Sequence, residues 1–593
     1  MQISSISDRT ARRAPSPKPS NGRNPPLLSG KLPVIGHTLE FVRSTIELLF
    51  RAQRELGEVA GLRIANKNMV ALFGPEAHEA VFRAPDNQLN PAEAYKIMTP
   101  IFGKNMVYDA SPERMDEQLK MLLPALKDRR MRTYTEIIIE EVEASIADWG
   151  DQGQIDLVDY CRILTNYTSA HFLLGREFRH DMTDEFAEIY HALERGITPL
   201  AYINAHLPLP SFRARDKARL RLVEMIGEII EARRRSGGKG EDFLQTLIEA
   251  RYQTGAALTD DEITGMLLAA MFAGHHTSSV TTAWTLLELM RNPACRRTVV
   301  EQVDELHETS GAASFESLQG FSEGDWAVME ALRLHPPLFL LIRVVKREFE
   351  FKTYRFPAGT WLLLSPTVSQ RIPEAFEDPD CFDPQRFSAD RIKNMHPFAY
   401  IAFGGGRHKC LGSAFARLQI KAILATLLRQ YEFSSTSDSI GSDFHGLVIG
   451  PSQPCRVRYR RRQPQTTRRT PEVADSRTIA PTRATDPDFA KVVGVKSSEV
   501  ADAKPSEVIS AKPFRVICDL DLCQSHAACM GEAPEVFRVG RVGKVSLIQE
   551  RPSPELRAKV EAAVKHCPTG TLRIEELPTR GEASDGSTGP AAQ

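Results

Sequence analysis

From residue 27 to about residue 459, apolar side chains recur mostly at three- and four-residue spacings, the pattern of helices that bury one face. Short apolar runs at 59–64 and 69–73 break that rhythm and read as strands. The longest signal covers 260–290, where Ile263, Met266, Leu267, Ala270, Met271 and Gly274 share a face and predict a long buried helix. A second apolar helix is predicted over 411–431, with Phe415, Leu418, Ala422 and Ala425 aligned. A third, 325–334, is closed by His335-Pro336-Pro337, because proline lacks the N–H that would continue it.

The pattern fails in three places. Residues 1–26 are rich in Pro, Ser, Asn and Arg and are expected to form a disordered tail. Residues 460–512 open with Arg460, Arg461, Arg462, Arg468 and Arg469, continue with Thr, Pro, Ala, Ser and Lys, and read as a flexible linker. Residues 578–593 decay into a Gly/Ser/Ala tail. Between the linker and that tail, 513–577 regains β-like runs at 514–518 and 544–547. The 593 residues therefore divide into a large domain, 27–459, and a small one, 513–577.

A net charge of -1 with 42% hydrophobic and 25% charged residues describes a globular protein with no nucleic acid as global partner. The arginines at 460–469 read as a solvated spacer. No run of about 18 apolar residues stands out and the N-terminus is polar, so neither a membrane anchor nor a secretory signal is expected. Nine cysteines, bunched toward the C-terminus at 518, 523 and 529, fit a reducing, cytoplasmic setting with metal-binding thiols better than a disulfide framework.

One cysteine stands out in the large domain. The run Phe403-Gly404-Gly405-Gly406-Arg407-His408-Lys409-Cys410-Leu411-Gly412 places Cys410 just ahead of a helix N-terminus, whose partial positive charge favours a thiolate. The glycines let the backbone turn tightly and leave room for a flat macrocycle. A buried structural cysteine beside a flexible loop is the plainer reading, and the ten-residue pattern outweighs it. Phe403, Gly406, Cys410 and Gly412 resemble the haem-binding signature of the cytochrome P450 superfamily. The resemblance implies a mainly α fold with small β-sheets, haem b, and Cys410 as its proximal ligand.

Glu330 and Arg333 fall on one helix face, and Pro384-Gln385-Arg386-Phe387 follows before the cysteine loop. That order resembles the superfamily's buried structural trio, here Glu330, Arg333 and Arg386. In the long helix stands Ala273-Gly274-His275-His276-Thr277-Ser278-Ser279. Gly274 costs about 1 kcal/mol against Ala in a helix, which close approach of a ligand with a local widening would justify. By resemblance this segment faces bound dioxygen, with Thr277 aiding proton delivery. His276 takes the place of the usual acid; a histidine there is a satisfied core residue or a relay, and its neighbours favour the relay.

The Gly-His-His-Thr-Ser-Ser run is similar to that of the sterol 14α-demethylases, as is Tyr95 with Met98-Thr99-Pro100-Ile101-Phe102-Gly103. That likeness extends over nearly all of 27–459 and implies Tyr95, Arg343 and His408 on the haem propionates. It also implies a sterol pocket walled by Phe102, Phe272, Ala273, Leu338 and Val448, with Ile97 and Met98 beside them. Where the family commonly offers a basic residue near position 116, this chain has Met115-Asp116-Glu117, so Arg114 or Lys120 is expected to substitute. The implied reaction is three successive oxidations of the 14α-methyl group, each consuming dioxygen and two electrons. The alternatives are oxidation of another terpenoid or lipid, and a haem-based redox or ligand sensor.

In the small domain Cys523, His526 and Cys529 are spaced three apart, and Cys567-Pro568 follows at a distance. Clustered sulfurs with a remote Cys-Pro suit an iron–sulfur cluster. The spacing resembles single-cluster ferredoxins in which three cysteines, Cys523, Cys529 and Cys567, hold a 3Fe-4S cluster. A 4Fe-4S cluster using His526 and a zinc site are the alternatives; Cys518 is assigned no metal. This domain is therefore expected to be a small α+β ferredoxin. A coil of about fifty residues spans on the order of 40 Å, and such a tether gives an effective concentration of about a millimolar. No Gly-x-Gly-x-x-Gly fingerprint is present, which implies a separate NAD(P)H-dependent ferredoxin reductase.

Overall fold

The computed structural model describes residues 22–463 and 513–577, apart from 66, 176–178, 180–183, 197–204, 238–241, 438–439, 445–447, 521, 524–527, 540–543 and 568. The central helix runs Asp260–Arg291. It starts at a capping box: the Thr259 hydroxyl accepts from the Glu262 backbone N–H at 3.2 Å, and the Glu262 carboxylate accepts from the Thr259 N–H at 2.8 Å. It is α-helical throughout, so the expected local widening at Gly274 does not occur. Gly265 is required for packing instead, since a Cβ there would lie 2.0 Å from the Phe102 carbonyl oxygen.

On this helix pack Leu157–Leu174, Ser322–Leu334 and Ser413–Gln430, and Asp128–Ile146 packs in turn on Leu157–Leu174 and Ser413–Gln430. Their shared core holds Trp284, Leu287, Ile138, Cys161, Val328, Phe415 and Leu424. Gly406–Gln430 is long and apolar enough to cross a membrane, contrary to the expectation that no stretch would be. Within this fold 72% of its apolar window is buried, as suits a core helix.

A five-stranded sheet lies to one side, in the order Val59–Ile64, Lys67–Leu72, Trp361–Leu364, Leu341–Val345, Leu89–Asn90. Leu62 pairs with Met69, Val70 with Leu362 in parallel, and Arg343 with Leu362. On its other edge the strand of Arg343 pairs Val344 with Asn90, so Arg343 lies on the strand next to the one that leads into the 95–103 region. A three-stranded sheet joins Gln152–Asp156, Arg456–Arg461 and Tyr431–Ser435, so Arg460 and Arg461 belong to the large domain and not to a linker. Arg462 is also part of it, with Nη2 2.6 Å from Asp304 Oδ2. The remainder of the expected linker, Arg468 and Arg469 included, lies outside the described residues.

In the small domain Phe514–Cys518 pairs antiparallel with Leu572–Glu576, and Phe537–Val539 with Val545–Leu547. Helices Ala528–Glu532 and Arg557–His566 cover a core of Phe514, Val516, Val536, Phe537, Val560 and Ala563.

Candidate active site and cluster site

The cysteine loop is held from both sides. Cys410 N–H donates to the Phe403 carbonyl at 2.8 Å, closing the turn. Gly404 and Gly406 have φ of 68° and 61°, and a Cβ on Gly406 would stand 2.0 Å from the Phe82 carbonyl oxygen, so only glycine fits. Cys410 is itself exposed, yet burial pushes its thiol up while the Gly412 N–H and the Lys409 cation pull it down. Both hold if the residue faces a cleft inside the protein. The expected helix-end stabilisation of a thiolate is thus outweighed by burial; an iron bound at the sulfur would remove the proton outright.

The central helix borders a cleft too. Ala273, at the middle of the helix between the buried Met271 and His275, is exposed, and a Cβ on Gly274 would meet nothing within 4 Å. Thr277 lies one turn on, its hydroxyl donating to the Ala273 carbonyl at 2.6 Å. His276 sits on the neighbouring face, roughly 100° around the helix from Thr277. Its ring packs against Tyr190 at 6.2 Å and Phe272 at 6.5 Å. His275 is buried against Thr165, Nδ1 to Oγ1 3.0 Å, and burial holds it well below the usual histidine range.

A cationic corner gathers Tyr95, Arg343 and His408. Burial pushes the Tyr95 phenol up and the Arg343 charge opposes it, which places the two together. Arg343 also acts on Asp86, whose Oδ1 is 2.6 Å from His408 Nε2 and whose Oδ2 is 3.4 Å from Arg407 Nη1. Burial pushes the Asp86 carboxyl up, but the His408 hydrogen bond and these cations prevail and leave it lowered. Asp86 was not foreseen: it stands far from the cysteine loop in sequence and in no motif. Arg114 does not reach this corner. It binds Glu262 and the Tyr252 hydroxyl instead, the latter at 3.1 Å, because Glu262 at the start of the central helix is the nearer anion. Lys120 pairs with Asp116 at 2.7 Å, and Arg407 Nη2 lies 3.5 Å from the same carboxylate.

The residues expected to wall a sterol pocket form two groups. Ile97, Met98, Phe102 and Phe272 share one apolar cluster, with Phe102 and Phe272 edge to face at 6.0 Å. Leu338 and Val448 are brought near each other by the Ile449 N–H, which donates to the Pro337 carbonyl at 2.8 Å. The next residues of that loop pack on the central helix, since a Cβ on Gly450 would be 2.8 Å from Val280 Cγ1.

Behind the cysteine loop every N–H of the Arg333 guanidinium is used. Two bond Glu330 at 2.7 and 2.8 Å, and the others the carbonyls of Gln370, Pro379 and Cys381. Arg386 Nε donates to Glu330 Oε1 at 3.2 Å, and all three side chains are buried.

In the small domain Cys523, Cys529 and Cys567 converge. Burial pushes the Cys529 thiol up to about 12, with Cys567 and Cys523 adding to it. Cys518, assigned no metal, belongs to the same group: burial, then Cys523 and Cys567, push it up to about 11. Val545 N–H donates to Cys523 Sγ at 3.2 Å, the kind of bond that tunes cluster sulfurs. Among the described residues no three His, Cys, Asp or Glu side chains are drawn in close enough to hold a metal ion. His526 lies outside the described residues.

The residues fit the expected groups: an accessible sulfur on a glycine turn, a helix with a bare patch, a cationic corner, and a separate knot of thiols. Residues 25–455 match the family described as Cytochrome P450, and residues 518–574 the family described as 4Fe-4S single cluster domain of Ferredoxin I. The sterol 14alpha-demethylase of Mycobacterium tuberculosis is 43% identical over 444 residues, 74% of this chain and 98% of that one. The sterol 14-demethylase of Arabidopsis thaliana is 37% identical, covering 74% and 92%, and the lanosterol 14-alpha demethylase of Bos taurus 34%, covering 75% and 89%. Cyanobacterial CYP120A1 with retinoic acid bound shares the fold at a TM-score of 0.67 and 24% identity, covering 74% of this chain and 99% of that one. The chain belongs to the cytochrome P450 family: it is a haem monooxygenase with sterol 14α-demethylases among its relatives, joined to a C-terminal ferredoxin-type domain.

Proposed function

We propose that this protein removes the 14α-methyl group of a lanosterol-like sterol, with electrons passed to it by its own ferredoxin domain. The observation that carries the reading is the match to sterol 14α-demethylases across 98% of a relative's length. Haem b, ligated by Cys410, supplies dioxygen activation when bound. Tyr95, Arg343 and His408 hold its propionates, with Asp86 orienting His408 at 2.6 Å. The Phe102–Phe272 edge contact and the Leu338–Val448 side give the sterol apolar walls, and the exposed Ala273 adds a small surface next to Phe272.

Thr277 keeps its proton on the Ala273 carbonyl. That bond must be exchanged for one to water or ligand before the proton moves outward, so the hydroxyl acts as a gate. His276, on the Phe272 face, shapes the sterol side and feeds protons only through intervening water. The trio Glu330, Arg333 and Arg386 is structural.

Cys523, Cys529 and Cys567 hold a 3Fe-4S cluster, because three thiols serve three irons. The matching family is described as a 4Fe-4S single cluster domain, which leaves both cluster types open. Electron paramagnetic resonance separates them, since the oxidised three-iron cluster is paramagnetic and the oxidised four-iron one is not. A separate NAD(P)H-dependent reductase loads the cluster, in the cytoplasm. Reconstituting the full chain with such a reductase and analysing sterol products tests the whole reading, beside a Cys529→Ala variant. Demethylated sterol from the wild type and none from the variant is expected. No sterol turnover would contradict the substrate, and equal turnover by the variant would contradict the electron path.

A further inference from the structure

We infer that the ferredoxin domain docks on the large domain in one keyed orientation, its Cys567 end against the loop that carries Cys410. The inference rests on the reading of this domain as the electron donor. Arg83 Nη1 donates to Glu532 Oε2 at 3.0 Å, and Lys544 Nζ lies 2.6 Å from Asp128 Oδ2. A third contact joins the two domains: Leu123 Cδ1 is 3.6 Å from where a Cβ on Gly570 would be. Helix Arg557–His566 packs on the Gly406–His408 turn. Cys567 directly follows that helix and Cys410 closely follows that turn, so the two touching elements each deliver a metal ligand.

The two ion pairs have opposite sense. One puts the cation on the large domain, the other on the ferredoxin domain. A surface of one sign would attract any oppositely charged partner in many rotations; two pairs of opposite sense close together in a single rotation and repel in the reversed one. The key is partly assembled beforehand. Arg83 is also braced by Glu79 at 2.9 Å, and Lys544 by the Leu520 carbonyl at 2.8 Å, which lowers the ordering cost of docking. Tethering at about a millimolar lets so small a key suffice.

The test uses the full chain carrying haem and cluster. A carbodiimide condenses an amine with a touching carboxylate, losing water. It should join Lys544 to Asp128 within one chain, as read by peptide mass spectrometry, and the product should vanish in Lys544→Gln. Separately, haem reduction is followed after rapid photoreduction of the cluster. Asp128→Lys alone and Lys544→Asp alone should each slow it about tenfold, and the double swap should restore it to within about twofold. Absence of the intrachain cross-link, or single reversals that leave the rate unchanged, overturns the keyed orientation. If Cys529→Ala leaves haem reduction intact, the donor reading itself fails, whatever the cross-link shows.

Discussion

The two cysteine sites are built in different ways. The loop around Cys410 is braced by groups that need no metal: Phe82 against Gly406, the Phe403 carbonyl on Cys410, and behind them Arg333 with all its donors used. The thiols of the ferredoxin domain converge around a core of few side chains, Phe514, Val516, Val536, Phe537, Val560 and Ala563 among them, with one backbone N–H, from Val545, on the Cys523 sulfur. A large domain can afford to shape a ligand site in advance by packing. A small one draws part of its stability from the ligand.

The largest effect should therefore come from removing iron. Chelation under reducing conditions is expected to unfold residues 513–577, read as new protease cleavage there, while the large domain keeps its helical circular dichroism. Equal loss in both domains would erase the contrast. Next, Glu330→Ala strands two buried guanidinium groups and should cost about 3 to 5 kcal/mol in denaturant unfolding of the large domain. A cost below about 1 kcal/mol would mean that the braced site is not braced there.

A third effect is set by pH. His78 is buried, with its ring nitrogens 3.0 Å from the Phe398 carbonyl and 3.0 Å from the Ser369 hydroxyl, and burial pushes it down to about 4. The unfolded chain takes up this proton near pH 6.5 and the folded chain only near 4, so stability falls as pH drops through that window. The loss amounts to about 3 kcal/mol. His78→Gln should flatten that slope in unfolding measured across the window; an unchanged slope would assign it to other groups. Smallest, Thr277→Ala should slow sterol turnover about a hundredfold with little change in sterol affinity. A matching loss of affinity would make Thr277 a packing residue.

Contiguous motifs were the legible part. The loop at 403–412, the Glu330–Arg333 spacing and the place of Thr277 on the central helix each lie within one short run of sequence, where spacing reports on local structure directly. Contacts between distant segments were not legible. Asp86 reaches His408 from a remote part of the chain, and Arg114 turns to Glu262 because of a helix placement that composition does not encode. Arg456, Arg458 and Arg460 alternate with Val457 and Tyr459, a strand pattern masked by the arginine run that was read as a spacer. The same blindness hid the Arg83–Glu532 and Asp128–Lys544 pairs, since nothing local marks either partner.

The account rests on the Cys410 sulfur as the iron ligand, and the carbon monoxide complex of the reduced full chain tests this most directly. A strongly red-shifted Soret band in the wild type, lost in Cys410→Ser while the large domain stays folded, is the predicted result. An unshifted band in the wild type, or a shifted one that survives Cys410→Ser, would contradict it.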